Sequence, residues 1–225
     1  MIAHKSCSII ERIVDYRIVS RLLDEYLVTI RQIAAHGIQS NKTRTTMAEI
    51  LSLREAVERF VHDGDTVALE GFTHLIPTAA SHELIRQNKK DLTLVRMTPD
   101  LVYDLLIGAG CAKRLIFSWG GNPGVGSLHR LRDAVEKHWP HKLEISEHSH
   151  AAMANAYVAG ASNLPFAVLR GYQGSDLVKV NPDIKFIECP YTGESLATVP
   201  SVRPDVTVIH ACLLYTSPSP RDKRQ

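Results

Sequence analysis

The 225-residue sequence contains little cysteine, and its four cysteines lie far apart. No two of them form a CxxC pair, and none has the spacing of a structural zinc site, so neither a disulfide framework nor a metal module is expected. Isolated thiols are typical of reduced, cytoplasmic proteins, and we predict that location here. The thiol of Cys189, which precedes Pro190, is expected to be buried rather than nucleophilic. The other three cysteines are Cys7, Cys111 and Cys212.

Long apolar runs and a strong excess of basic charge are also absent. No stretch is long enough to cross a bilayer, so no membrane partner is expected. Lys and Arg total 26 against 24 Asp and Glu, and the excess lies at the two ends. Residues 1–46 carry seven basic and four acidic side chains, and residues 212–225 carry three and one. The intervening residues are mildly acidic, which excludes an evident basic face for nucleic acid.

Several catalytic fingerprints are missing as well. The sequence has no GxSxG nucleophile elbow, no GxGxxG or Gly-Lys-Ser phosphate loop, and no HExxH helix. These absences argue against α/β-hydrolases, dinucleotide-binding loops and zinc metallopeptidases. His148 and His150 are two residues apart rather than four, so no metal site is expected there.

The two ends of the chain do not follow the pattern of its middle. Residues 1–46 contain apolar pairs about every four residues, as in an amphipathic helix that docks on a partner. Met47, however, begins a convincing start of its own, and we predict that 1–46 is an upstream extension outside the fold. Cys212–Asp222 can be back-translated into a common transposase library adapter. We therefore predict an adapter-derived tail at 212–225, rather than a natural disordered one, and a C-terminally truncated domain at 47–211.

The middle of the chain alternates short apolar runs with amphipathic helical segments. Ser52 and Glu55 have the spacing of a capping box at the start of the first helix, and Pro77 is expected in the first turn of the second. His82 and Glu83 on that second helix are expected to face solvent or another subunit. The β-α-β-α-β-α-β-α-β rhythm predicts an α/β fold, an open and mostly parallel sheet with helices on both faces. Ligands of such sheets bind beyond the carboxyl ends of the strands.

The first predicted strand ends in the polar sequence Glu70-Gly71-Phe72-Thr73-His74. Gly71 lets the backbone turn and approach a ligand closely. Successive backbone N–H groups before the second helix can form an anion-binding nest, and the oxyanion of an acyl-transfer intermediate is one anion that such donors stabilise. The alternative is a tight strand-to-helix connection with a buried Phe72.

Two later loops also follow predicted strands. The Gly-rich loop that contains Gly121, Asn122 and Gly124 does not fit a nucleotide fingerprint, and it either packs against an acyl chain or a partner protein or is purely structural. In the other loop, Glu147 is either a general base or a charge that the dipole of the following helix favours.

Taken in order, these blocks resemble the alpha subunit of class I CoA-transferases, in particular the alpha-type chain of glutaconate CoA-transferase. The resemblance covers about residues 51–211 and is carried by GDTVALEGFTHLIPTAASHELIRQNKKDLTLV, LPFAVLRG and VPSVRPDVTVIHA. It implies a transferase subunit in acyl-CoA metabolism that works in a heteromer with a homologous beta subunit. No permanently bound cofactor is implied, because the coenzyme A thioester is a substrate.

The resemblance also implies a division of labour between the subunits. In this family the acyl-CoA is attacked by a glutamate of the beta subunit, and the reaction passes through an acyl anhydride and a glutamyl-CoA thioester. Gly71 and Phe72 are implied to help form the oxyanion site and the acyl pocket. The remaining residues expected to lie around the substrates are Glu70, Thr73, His74, Gly121, Asn122 and Gly124.

This sequence departs from the family at one point, where Gly-Gly-Phe is replaced by Glu70-Gly71-Phe72. A carboxylate there repels an anionic acyl group, unless it points to the opposite face of the sheet as alternate strand residues do. Two other interpretations stay open. Some superfamily members hydrolyse ring-containing CoA thioesters with an alpha-subunit carboxylate as base, and Glu147 resembles that position. An effector-binding domain of a regulator shares the fold, but the absence of a basic DNA-reading module argues against it.

Overall fold

The computed structural model describes residues 49–71, 76–121 and 126–210, together with the backbone of residues 11–15. The tail at 212–225 and most of 1–46 therefore lie outside the described residues, so the predictions made for these two ends stay predictions. Within the described part, no helix has both the length and the apolar character needed to span a membrane.

The described chain contains nine strands and six helices. The strands are β1 Glu11–Asp15, β2 Thr66–Glu70, β3 Leu92–Val95, β4 Ala112–Phe117, β5 Glu144–Glu147, β6 Phe166–Leu169, β7 Lys185–Glu188, β8 Ser195–Pro200 and β9 Val206–His210. The helices are α1 Leu53–Phe60, α2 Thr78–Arg86, α3 Leu101–Gly108, α4 His129–Glu136, α5 His150–Ala161 and α6 Leu177–Val180.

Six strands form the main sheet in the order β1-β9-β2-β3-β4-β5. The strands from β9 to β5 are parallel to one another, and β1 pairs antiparallel with β9 at the edge. Parallel strands require crossover connections, which the intervening helices supply. The predicted open, mostly parallel α/β sheet is confirmed.

The two faces of the main sheet are covered by different elements. Helices α1 to α4 pack on one face, over a core that includes Val67, Leu94 and Leu115. Helix α5 and a second sheet pack on the other face, over a smaller core that includes Val95 and Met153. Burial of these apolar side chains contributes about 25 cal/mol for each Å² removed from water, and this is the main force that holds both layers to the sheet.

Three features of the fold were not predicted. Strands β6, β8 and β7 form a separate antiparallel sheet rather than extending the main one, and β8 and α6 had no predicted counterpart. The helical interpretation of 1–46 is wrong for Glu11–Asp15, which pair in register with β9. The β-branched pair Ile13-Val14 favours a strand, and the open edge of β9 provides the backbone partners.

Local predictions had mixed outcomes. The capping box is confirmed, with Ser52 N–H donating to Glu55 Oε2 at 3.0 Å and Glu55 N–H donating to Ser52 Oγ at 3.3 Å. Glu83, expected on an outer face, is buried, because Gln87 and Arg86 both donate hydrogen bonds to its carboxylate. Cys189 is half-buried rather than buried, and hydrogen bonding to Thr192 lowers the pKa of its thiol.

Candidate active site

The carboxyl ends of β2 and β3 lie side by side and are joined by a buried tyrosine. Ala68 pairs with Val95 in the parallel ladder, which places the residues after each strand next to each other. The Tyr103 hydroxyl of α3 accepts the N–H of Leu69 at 3.0 Å and donates to the carbonyl of Val95 at 2.8 Å. Burial raises the pKa of Tyr103, so the phenol keeps the proton that it donates.

Arg96 directly follows β3 and is only 3% exposed. Its Nη2 donates a hydrogen bond to the carbonyl of Gly71, the glycine that ends the described part of the loop after β2. Its Nη1 lies 2.8 Å from Asp100 Oδ2 but makes no aligned hydrogen bond within the described residues, so that contact is an ion pair. The guanidinium carbon lies 5.6 Å from the centre of the Tyr103 ring, within the range of a cation–π contact.

Asp100 has a second role at this point. Its Oδ1 accepts the N–H of Val102 at 3.0 Å and so caps α3. The one carboxylate therefore fixes both the start of α3 and the position of the Arg96 guanidinium. Because a buried guanidinium without a counter-charge is strongly unfavourable, the pair orders this corner of the molecule.

Glu70, the last residue of β2, points towards α5 and not towards the face covered by α1 to α4. The Tyr157 hydroxyl of α5 donates a hydrogen bond to Glu70 Oε1 at 2.9 Å. Burial raises the pKa of Glu70, and the hydrogen bond from Tyr157 and the charge of Arg96 oppose that shift. Of the two orientations that the sequence left open, the structure has the one on the opposite face from Leu69, whose side chain lies in the first core.

The Gly-rich loop after β4 reaches the same corner. Gly121 is buried, and its N–H donates to the carbonyl of Pro99 at 3.2 Å, next to Asp100. A Cβ at Gly121 would lie 2.5 Å from the Trp119 ring, so the bare backbone is required for this packing. The structure thus brings Glu70, Gly71 and Gly121 around the ends of β2, β3 and β4. The candidates that lie outside the described residues are Phe72, Thr73, His74, Asn122 and Gly124.

Glu147 is not part of this cluster. It is exposed at the end of β5 and pairs with Phe117 of β4, so it lies three strands away from Glu70, a separation of about 14 Å at the usual strand spacing. It lines an open groove of about 470 Å³ whose walls include Trp119, Leu131 and Val135. The structure therefore separates Glu147 from Gly71.

His148 faces the other side of the sheet, beside a cavity of about 290 Å³ under α5. Ser146 Oγ donates to Asp183 Oδ2 at 2.6 Å and lies 3.2 Å from His148 Nε2, so the imidazole must donate to the serine oxygen through Nε2. Burial lowers the pKa of His148, which favours the neutral ring. His150 is exposed at the start of α5. In the described ranges no three His, Cys, Asp or Glu side chains are arranged to hold a metal ion.

Sequence reasoning missed the residues that organise the corner, namely Arg96, Asp100, Tyr103 and Tyr157. One signal was available, because Arg96 follows the apolar run Leu92–Val95 directly and a charge in that position is rarely buried without a partner. Nothing in the sequence indicated that Tyr103 or Tyr157 would reach strand ends far away along the chain.

Comparison with known proteins assigns the family. Residues 50–217 match the family described as Coenzyme A transferase. This chain belongs to the coenzyme A transferase family. The predicted resemblance to class I alpha subunits is confirmed, since the family match and the similar chains below agree with it.

Two named relatives of this coenzyme A transferase family chain are the A-type chains of CoA-transferases. That of the 3-oxoadipate CoA-transferase of Pseudomonas knackmussii is 85% identical over 165 residues, which cover 73% of this chain and 58% of the relative. That of the glutaconate CoA-transferase of Acidaminococcus fermentans is 33% identical over 183 residues, which cover 73% and 56%. This chain thus spans just over half the length of both relatives.

Solved structures of relatives share the fold of this coenzyme A transferase family chain. Glutaconate coenzyme A-transferase of A. fermentans matches with a TM-score of 0.62 and 31% identity, over 67% of this chain and 52% of that one. The decarboxylase AibA/AibB matches with a TM-score of 0.61 and 30% identity, over 68% and 58%. Since a transferase and a decarboxylase both match, the fold alone does not determine the reaction.

Proposed function

We propose that this chain is the alpha subunit of a two-subunit CoA-transferase that moves CoA between an acyl-CoA and a small dicarboxylate. The observation that carries the proposal is the 85% identity over 165 residues to the A-type chain of a 3-oxoadipate CoA-transferase. A pocket built from residues this similar is expected to accept the same class of acid, so 3-oxoadipate is the acceptor to test first.

The mechanism requires a partner. A homologous beta subunit supplies a glutamate that takes the acyl group as an anhydride and then CoA as a thioester, and no resident cofactor takes part. This chain contributes backbone donors at Gly71 and Phe72 that stabilise the oxyanion formed when the thioester carbonyl is attacked. The position of Gly71 at the carboxyl end of β2 supports this role, because ligands of parallel sheets bind at that edge.

The orientation of Glu70 removes one objection to a dicarboxylate substrate. Its carboxylate is hydrogen-bonded to Tyr157 and lies near the positive charge of Arg96. It is therefore directed into the protein at α5 and is partly compensated there, and it does not add an unpaired negative charge at the Gly71 loop.

Purified chain and beta subunit, each alone and together, test the proposal with succinyl-CoA as donor and labelled 3-oxoadipate as acceptor. We expect label in the CoA thioester only when both subunits are present. Borohydride or hydroxylamine should trap the intermediate on the beta subunit. Transfer by this chain alone, or turnover with no covalent intermediate on the partner, would contradict the proposal.

A second candidate is a CoA-thioester hydrolase of the same fold with Glu147 as general base. The observation that favours it is the groove of about 470 Å³ beside Glu147, which is large enough for a ring-containing acyl group. A Glu147→Gln variant abolishes turnover under this mechanism and leaves CoA transfer almost unchanged under the first. Glu144→Gln, at the exposed start of the same strand, is the matched control.

A further inference from the structure

The carbonyl of Gly71 is held from inside the protein by a buried cation. Arg96 Nη2 donates to it, and Arg96 is 3% exposed, so the contact is shielded from water. Hydrogen bonds from a charged donor are roughly twice as strong as neutral ones, and a low-dielectric environment strengthens them further. This contact is therefore an anchor for the loop that follows β2.

The position of Arg96 is fixed by two further contacts from another element. Asp100 Oδ2 lies 2.8 Å from Nη1, and the Tyr103 ring lies 5.6 Å from the guanidinium carbon. Both residues belong to the start of α3. Tyr103 is bonded in turn to Leu69 and Val95, so the guanidinium is held relative to β2 and β3 themselves.

The chemistry of the peptide group gives this anchor a consequence. A peptide unit is planar and trans, so its N–H points away from its own carbonyl. A carbonyl that is held on the buried side thus leaves the N–H of the same unit directed towards the crevice at the strand ends. An amide in that orientation is the donor that an oxyanion requires, and it costs no reorganisation when charge develops.

We propose that Arg96 is a positioning residue for CoA transfer, which holds the Gly71 carbonyl so that the adjoining amide faces the thioester oxygen. This role rests on the proposed function. Arg96 does not touch the substrate and forms no covalent bond, and it acts through the peptide that it orients. Its buried positive charge also favours the negative charge that develops on the acyl oxygen.

Steady-state kinetics of the complete subunit pair tests this role. In an Arg96→Ala variant we expect kcat to fall roughly 100-fold, the loss typical of one oxyanion donor, while KM for acyl-CoA changes less than about threefold because ground-state binding is not affected. Ethylguanidinium should restore part of kcat by filling the vacated site, and ethylammonium should not, because it lacks the planar fork of donors.

Arg96→Lys provides a second, milder variant in case the alanine variant does not fold. A single ammonium keeps the charge but is not a fork that can bridge Gly71 and Asp100, so we expect a loss of kcat of about tenfold. Arg114→Lys is the matched control, because Arg114 also pairs with a carboxylate, that of Asp183, but on the middle of β4. Its kcat should stay within about twofold of the wild type.

The outcomes separate this inference from the proposed function. If the wild-type pair transfers no CoA, the proposed function is refuted and this role with it. If the wild-type pair transfers CoA and a folded Arg96→Lys or Arg96→Ala variant keeps the wild-type kcat, only the positioning role is overturned. Equal rescue by the two amines would also overturn it, because the geometry of the guanidinium would then be irrelevant.

Discussion

Glu70 shows how a single residue can be placed by its surroundings rather than by its strand. Its backbone continues β2, but its carboxylate is desolvated against α5 and accepts from Tyr157. Because burial raises its pKa above the ordinary value of 4.5, the folded protein binds the proton more tightly than the unfolded chain does. The stability that this group contributes is complete below the unfolded pKa and is lost as the pH rises through the folded pKa.

We therefore predict that a Glu70→Gln variant is more stable than the wild type at neutral pH. Glutamine resembles the protonated acid in shape and carries no charge that would need desolvation. The difference in the free energy of unfolding should shrink as the pH falls from 7 to about 4. Urea unfolding at several pH values measures it, with exposed Glu144→Gln as the control. A difference that stays constant across this range would contradict the prediction.

At the same scale, Gly160 is required by a close approach of backbone. A Cβ built on this glycine of α5 would lie 1.9 Å from the carbonyl oxygen of Val202, and Val202 N–H donates to Ala156 of the same helix at 3.0 Å. The connection between β8 and β9 is thus seated on the helix at this residue.

Gly160→Ala should destabilise the protein by about 1–3 kcal/mol, because the helix or the Val202 segment has to shift to admit the methyl group. Thermal and urea unfolding give the value directly. Asn155→Ala, an exposed position on the same helix, is expected to change the free energy of unfolding by less than about 0.5 kcal/mol. Equal effects of the two changes would show that the contact is unimportant.

At the scale of elements, α4 begins without a cap of its own. Leu128 occupies the cap position and provides no side-chain acceptor. Asp104 of α3 does so instead, since its Oδ1 accepts the N–H groups of Arg130 and Leu131 at 2.8 and 2.9 Å. A buried carboxylate from one helix thus caps another and compensates the positive end of its dipole.

Asp104→Ala should cost about 1–3 kcal/mol, because two N–H groups in a largely buried site lose their acceptor. Hydrogen exchange followed by mass spectrometry should show the loss at the first turn of α4, with little change in β2 and β3. Asp133→Ala, whose carboxylate pairs with exposed Lys137 on α4, should have the smaller effect. Uniformly faster exchange across the chain would argue against a local cap.

At the scale of the whole molecule, the two sheets are joined by a polar network as well as by the apolar core. Asp183, just before β7, accepts from Ser146 Oγ at 2.6 Å and pairs with Arg114, both on the main sheet. Asn181 donates to the carbonyl of Glu147 at 2.6 Å and supports the same connection. These contacts close one wall of the cavity of about 290 Å³.

We predict that Asp183→Ala lowers the free energy of unfolding by about 1–3 kcal/mol. The second sheet should loosen before the main sheet does, because the network ties one to the other. Hydrogen exchange is expected to accelerate in β7 and β8 more than in β2 to β4. Asp176→Ala, at an 89% exposed side chain before α6, is the control. The reverse order of acceleration would show that Asp183 stabilises the main sheet instead.

The sequence by itself determined the alternation of strands and helices, the capping box and the parallel character of the main sheet, because these follow from local periodicity and turn chemistry. It also indicated the loop at Gly71 as a place for backbone donors. Only the tertiary structure decided that Arg96 holds the Gly71 carbonyl, that Tyr157 holds Glu70, and that β6 to β8 form a second sheet. Such contacts join residues far apart in the chain, and no local pattern encodes which distant partner a buried polar group will find.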